Sequence, residues 1–180
     1  MKSRLVLLAP TVLVAALAGC ASPPMFMQDA LPAAVQVPAG NRVAMETVGV
    51  GEITYECKAK AGMADAFEWV FVGPKAALND RSGKTVGSYF GPPATWVSLD
   101  GSRLTATQLA VAPGASGSIP LQLVKANPAT GEGAMSGVSY IQRVATQGGV
   151  APVAACAAAN AGARQIVAYR ADYIFWKPAM

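Results

Sequence analysis

Three cysteines, ten carboxylates and no histidine set the chemistry open to this chain. Without an imidazole there is no Ser-His-Asp or Cys-His nucleophile, no imidazole zinc site and no ordinary general base near neutral pH. Catalysis would fall to carboxylates, lysine, tyrosine or a hydroxyl. Asp80 and Asp100 sit in turn-like sequence and Asp172 in an aromatic strand. Glycan hydrolysis would need two such groups across a cleft, about 5–9.5 Å apart. The plainer roles are a turn residue for Asp100 and an ion pair with Arg143 or Arg170 for Asp172. Ser82-Gly83-Lys84-Thr85 ends like a phosphate-binding loop, but the glycine that motif requires earlier is Leu78 here. Gly49 and Gly51 likewise lack the third glycine and the helix of a dinucleotide site. No cofactor and no metal is assigned.

The thiol with the clearest chemistry is Cys20. Lys2 and Arg4 precede an apolar run from Leu5 that closes on Leu17-Ala18-Gly19-Cys20. The run falls short of the roughly 20 residues that span a bilayer. Basic head, apolar middle and small-residue exit describe a signal peptide over 1–19. A thiol directly after small residues is what lipid alkylation followed by cleavage demands. The segment resembles a bacterial lipoprotein signal, which implies a diacylglyceryl group and an amide-linked acyl chain on Cys20. Several chains anchor durably, since each buried CH₂ adds about 0.8 kcal/mol. Ala21, where an inner-membrane retention signal has Asp, implies the outer membrane. The expected location is therefore the cell envelope, facing the periplasm.

In that oxidising compartment Cys57 and Cys156 are most simply a disulfide. A redox or metal-binding pair would need CxxC spacing and further ligands, which are missing. Loss of Lys2 and Arg4 with the signal lowers 14 basic residues to 12 against 10 acidic. No basic cluster remains to suggest a nucleic-acid partner.

These residues must be held by a β-rich scaffold. Residues 20–40 carry Pro23, Pro24, Pro32 and Pro38 and read as an extended tether, with Leu31 to Val37 able to pack as an edge segment. From 41 to 180 the hydrophobic period is two. Ile53, Tyr55 and Cys57 share one face. Phe67, Trp69 and Phe71 share another, in a strand expected to stop at Gly73-Pro74. Asp100-Gly101 marks a tight turn. Ile141 with Arg143 opposes Val138, Tyr140, Gln142 and Val144 across one strand. Tyr169, Ala171, Tyr173 and Phe175 align along the last. A short helix is expected near 152–160, with proline near its start and Gly162 beyond its end. Nine or ten short strands at this spacing predict one all-β domain, a β-sandwich or a partly closed barrel.

Three blocks carry a family resemblance. The first runs Val86-Gly87-Ser88-Tyr89, Gly91-Pro92, Trp96 and Asp100-Gly101-Ser102. The second is Ser139-Tyr140-Ile141-Gln142-Arg143-Val144 with Thr146, Gly148, Gly149, Ala151-Pro152 and Cys156. The third is Tyr169-Arg170-Ala171-Asp172-Tyr173-Ile174-Phe175. In this order, over about residues 35–177, the chain resembles the secreted domain of unknown function 3455. The resemblance implies a secreted β-rich domain and no assigned activity. Ala145 stands where that pattern has Asn, Ala157 where it has an acidic residue, and a Trp is missing after Ile119-Pro120.

The residues thus lead to a non-catalytic envelope module binding a small molecule, a glycan or a partner protein. Tyr89, Trp96, Asp100 and Arg143 are its candidate binding residues. A carboxylate-dependent glycan hydrolase and a structural lipoprotein docking to an envelope assembly are the alternatives.

Overall fold

The computed structural model describes residues 26–63 and 65–179; the expected signal segment, Cys20 and the residues up to Met25 lie outside them. Eight antiparallel strands follow one another as a meander and close into a barrel. They are β1 (Asn41–Ala59), β2 (Phe67–Asn79), β3 (Thr85–Phe90), β4 (Thr95–Ser98), β5 (Arg103–Ala112), β6 (Leu121–Ala126), β7 (Tyr140–Gly148) and β8 (Arg164–Pro178). Closure is made by β8 pairing back onto β1, from Asn41 opposite Pro178 to Glu56 opposite Arg164. A closed sheet has no free edge, so every strand finds partners within the chain. The all-β expectation holds, with eight longer strands in place of nine or ten short ones.

Alternation sorts side chains between wall and lumen. Ile53, Leu78, Tyr89, Trp96, Leu104, Val124, Ile141, Tyr173 and Phe175 point inward and form one core. Backbone must pass close where the wall curves. A Cβ on Gly49 would lie 2.5 Å from the Tyr173 ring, and one on Gly51 would strike the backbone of Lys75 and Ala76. The two glycines that resembled a nucleotide loop therefore let the wall bend. β2 runs through Gly73-Pro74 to Asn79, because Val72 is an extra residue of β2 where the register shifts opposite Thr54 and Tyr55 of β1. Proline is tolerated beside such an irregularity, so it does not end the strand.

A second core lies outside the barrel. Residues 26–40 lie along the outer wall of β5 to β8 as a strap. Val35 and Val37 bury against Ala112, Leu123, Val144, Ile174 and Trp176. Gln142 is fully buried beneath the strap and completely satisfied. Its Nε2 donates to the Val35 carbonyl (2.7 Å) and Gln28 Oε1 (3.0 Å), and its Oε1 accepts from Trp176 Nε1 (2.9 Å). The extended tether expected over 20–40 therefore gives way, from residue 26 onward, to packing of the kind expected of Leu31 to Val37. The apolar residues on this stretch of wall would otherwise face water, and covering them outweighs the freedom of a proline-rich segment.

The two ends of the barrel differ. One carries the connections 80–84, 99–102 and 127–139, and Met135 and Val138 plug it from inside. The other carries 60–66, 91–94, 113–120 and 149–163. Here Cys57 is bonded to Cys156, with 5.5 Å between their Cα atoms. The expected helix at 152–160 reduces to a single 3-10 turn, Ala158–Asn160. Nine residues make a marginal helix at best. Other partners hold this backbone: Trp69 Nε1 donates to the Ala154 carbonyl (2.7 Å), and Asn160 receives Ala157 N–H and donates to the Ala155 carbonyl. The described residues thus close their own sheet and bury their own cores, as one folding unit.

Two stability predictions follow from this arrangement. Replacing Cys57 and Cys156 by serine removes a cross-link spanning 99 residues. Urea unfolding should show a loss of about 2–5 kcal/mol; an unchanged midpoint would contradict the staple. Ala145 adopts φ 48° at a bulge in β7. That left-handed region is costly for alanine and readily taken by asparagine, the residue of the family pattern. Ala145→Asn should raise Tm by a few degrees, about 0.5–1 kcal/mol, and a lower Tm would contradict the conformational reading.

Candidate functional site

The open end of the barrel holds a cavity of about 400 Å³ beneath the 113–120 and 91–94 connections. Strands far apart in sequence supply its wall. Ile53 and Tyr55 come from β1, Tyr89 from β3, Val124 from β6 and Arg143 from β7. Gln108 and Gln122 face each other across β5 and β6, with Gln122 Nε2 donating to Gln108 Oε1 at 2.5 Å. Phe71 sits at the rim, edge-on to Tyr55 with ring centroids 6.1 Å apart. The lining is thus apolar and aromatic with a few convergent polar groups, as small-molecule sites are. Barrels of eight strands have a lumen of the size that holds one small ligand.

Arg143 owes its inward position to parity. It neighbours Ile141 of the core on the same face of β7, whereas Gln142 and Val144 face the strap. Its Nε and Nη2 both donate to the Pro120 carbonyl, at 3.2 and 3.0 Å, tying the 113–120 loop to the rim. No carboxylate among the described residues lies within 4.0 Å of the guanidinium. Its charge is felt across the lumen. Burial raises the pKa of Tyr55, Tyr89 and Tyr173 above that of a free phenol, and pushes that of Tyr169 up to about 12. The positive field of Arg143 opposes the rise in all four. The four phenols stay protonated across the ordinary pH range and serve as hydrogen-bond partners, not bases. Tyr55 donates to the Gly149 carbonyl (2.8 Å), and Tyr169 and Tyr173 pair at 3.2 Å.

Of the four residues singled out from sequence, the structure brings Tyr89 and Arg143 together in the cavity wall. Trp96 lies one layer deeper, fully enclosed, and stacks on Tyr89 with centroids 4.7 Å apart. It supports the floor of the site through Tyr89. Asp100 is at the opposite end. Its Oδ1 accepts from Ser102 N–H (2.9 Å) and Ser102 Oγ (2.6 Å), and its Oδ2 accepts from Ala134 N–H (2.8 Å). Ser102 Oγ in turn accepts from Met135 N–H at 3.1 Å. Asp100 therefore fastens the loop that carries the Met135 plug.

The other carboxylates weighed for hydrolysis are engaged elsewhere. Asp80 Oδ1 accepts from Ser82 and Lys84 within its own turn. Asp172 faces outward and binds Arg81 Nη1 at 2.6 Å, while Arg81 Nη2 binds Glu46, also at 2.6 Å. Arg81, from the 80–84 connection, thus replaces the expected Arg143 or Arg170. Arg143 is on the inner face of the wall and cannot reach an outward carboxylate. None of the ten acidic residues lines the cavity. Gln108, Gln122, Ile119 and Phe71 were not singled out from sequence. The only signal was a polar glutamine at an inward position of each of two strands.

A second, larger depression of about 920 Å³ lies on the outer wall of β1 to β4, around Val50, Ala77, Phe90, Val97 and Leu99. It is more open than the lumen cavity and mostly apolar, with Glu52, Lys75, Thr85 and Ser88 along its lining. The lumen is the better-built site.

The hydrogen bonds to Asp100 hold its carboxyl well below the usual carboxylate range, the Ser102 hydroxyl first among them. A depressed folded-state value means the contribution is complete above about pH 3.9 and fades as pH falls below it. Asp100→Ala should therefore lower Tm at pH 7, with the deficit shrinking by pH 3. A deficit of equal size at both pH values would contradict the staple.

Comparison with known proteins agrees on the family. No curated protein matches the chain. No solved structure matches it. One family model does, over residues 38–177, which takes in the eight strands but for Pro178 and every residue of the lumen, and its description is "Protein of unknown function (DUF3455)". The chain belongs to the DUF3455 family.

Proposed function

We propose that this protein is a non-catalytic binding module that holds a small molecule in the lumen of its barrel. The observation that carries the reading is the cavity itself: about 400 Å³, closed below by the core and Met135, with aromatic walls and Tyr55, Gln108, Gln122 and Arg143 converging on it. A cavity of this size and lining suits a compact organic molecule better than a glycan chain, which needs a long polar groove. No carboxylate is placed to act on a bound substrate.

The same reading places the module in the cell envelope, held to the outer membrane by lipid on Cys20. Core-facing positions are apolar, while Glu52, Lys75, Lys125 and Arg170 lie on the outside. That polarity is the reverse of a membrane-spanning barrel and supports an aqueous compartment. Phe26, where the described chain starts, packs on Trp176 near the plugged end. An anchored domain would thus present its mouth away from the attachment.

The test uses the chain from Ala21 onward, which retains every described residue. N-phenyl-1-naphthylamine, a neutral apolar fluorophore, should bind saturably with enhanced emission. Ala106 lines the cavity, and Ala106→Trp should abolish the response while the far-ultraviolet circular dichroism is kept. Equal responses from the two proteins would place binding outside the lumen and contradict the proposal.

A further inference from the structure

The chemistry of the Arg143 guanidinium narrows the class of ligand. A guanidinium has five N–H donors in a rigid planar fork. The Pro120 carbonyl takes Nε and one hydrogen of Nη2. The two hydrogens of Nη1 and the second of Nη2 donate to no described residue, and they form the edge that matches a carboxylate in parallel. A charge in a half-enclosed apolar cavity is costly to leave without a counter-charge. The same strands that supply the wall supply no acid to satisfy it.

The surrounding groups fit the same head group. Gln108 and Gln122 are joined by one hydrogen bond, which leaves the second amide hydrogen of Gln122 and the Gln108 amide nitrogen as donors. The phenols of Tyr55 and Tyr89 line the cavity beside them. The rest of the lining is apolar: Ile53, Ala106, Ile119 and Val124, with the face of Tyr89 backed by Trp96. A ligand satisfying both ends carries a negative group at the rim and an aromatic or branched apolar body below it. The rim is also where Arg143 grips the 113–120 loop, so the head group would be read beside Arg143, Gln108 and Gln122.

We propose that the lumen is a site for small organic anions, aromatic or short-chain carboxylates, with Arg143 as the head-group anchor and Gln122 as its neighbour. This rests on the lumen reading above, and the test separates the two. Titration calorimetry would compare 2-naphthoate with 2-naphthamide, which share a body and differ in charge, on the wild-type chain from Ala21. The carboxylate should bind at least about tenfold tighter, as expected for a charge-assisted bidentate contact. Arg143→Gln should erase that gap, while Arg143→Lys should keep part of it.

Equal binding of both probes to the wild type would overturn the anion assignment and leave the lumen reading standing. Failure of both probes to bind would overturn the two together. A gap that persists in Arg143→Gln would overturn Arg143 as the anchor. The wild-type comparison stands even where a variant folds poorly, because it needs no substitution.

Discussion

The pairing of β8 onto β1 is the constraint on which everything else in this molecule depends. It runs from Asn41 opposite Pro178 to Glu56 opposite Arg164 and converts a meander into a closed wall. Once closed, the wall has an inside, and period-two alternation becomes a division between lumen and surface. A slip of one residue would send Tyr169, Tyr173 and Phe175 to water and Asp172 into the core. The disulfide reinforces this closure from one end, since Cys57 leaves β1 and Cys156 lies in the connection that feeds β8. Arg81 reinforces it on the outside by binding Glu46 of β1 and Asp172 of β8 together.

Three consecutive residues of β7 show how one strand serves three structures at once. Ile141 enters the core, Gln142 holds the strap through Gln28, Val35 and Trp176, and Arg143 reaches the lumen and the Pro120 carbonyl. Strap and lumen are therefore separated by the thickness of one sheet. The strap excludes water from the outer side of the wall, and the core excludes it from the bottom of the lumen. The open end alone is left to exchange with solvent.

Much of this was legible in local pattern. Alternation placed Ile53, Tyr55 and Cys57 on one face and separated Ile141 and Arg143 from Gln142, and the expected export made the disulfide the simple reading. What alternation could not show was closure, because pairing the first strand with the last is a long-range event with no local signature. The lumen was hidden for the same reason: its wall draws single residues from strands that are distant in sequence. Local signals also misled where tertiary contacts overrode them. Proline in residues 26–40 suggested a free tether, but Val35 and Val37 found an apolar wall to cover. Pro152 near its start and Gly162 past its end suggested a helix over 152–160, but Trp69, Asn160 and Cys156 hold that backbone otherwise. Asp100, weighed for chemistry, takes its plainer role as a turn residue through Ser102 and also fastens the plug through Ala134.

The central claim is that ligands enter the barrel instead of resting in its outer depression. Intermolecular nuclear Overhauser contacts, measured on methyl-labelled protein with bound N-phenyl-1-naphthylamine, test it most directly. The account predicts contacts from the probe to the methyl groups of Ile53, Ile119 and Val124, which line the lumen. Contacts to Val50, Val97 and Leu99 on the outer wall in their place would contradict it.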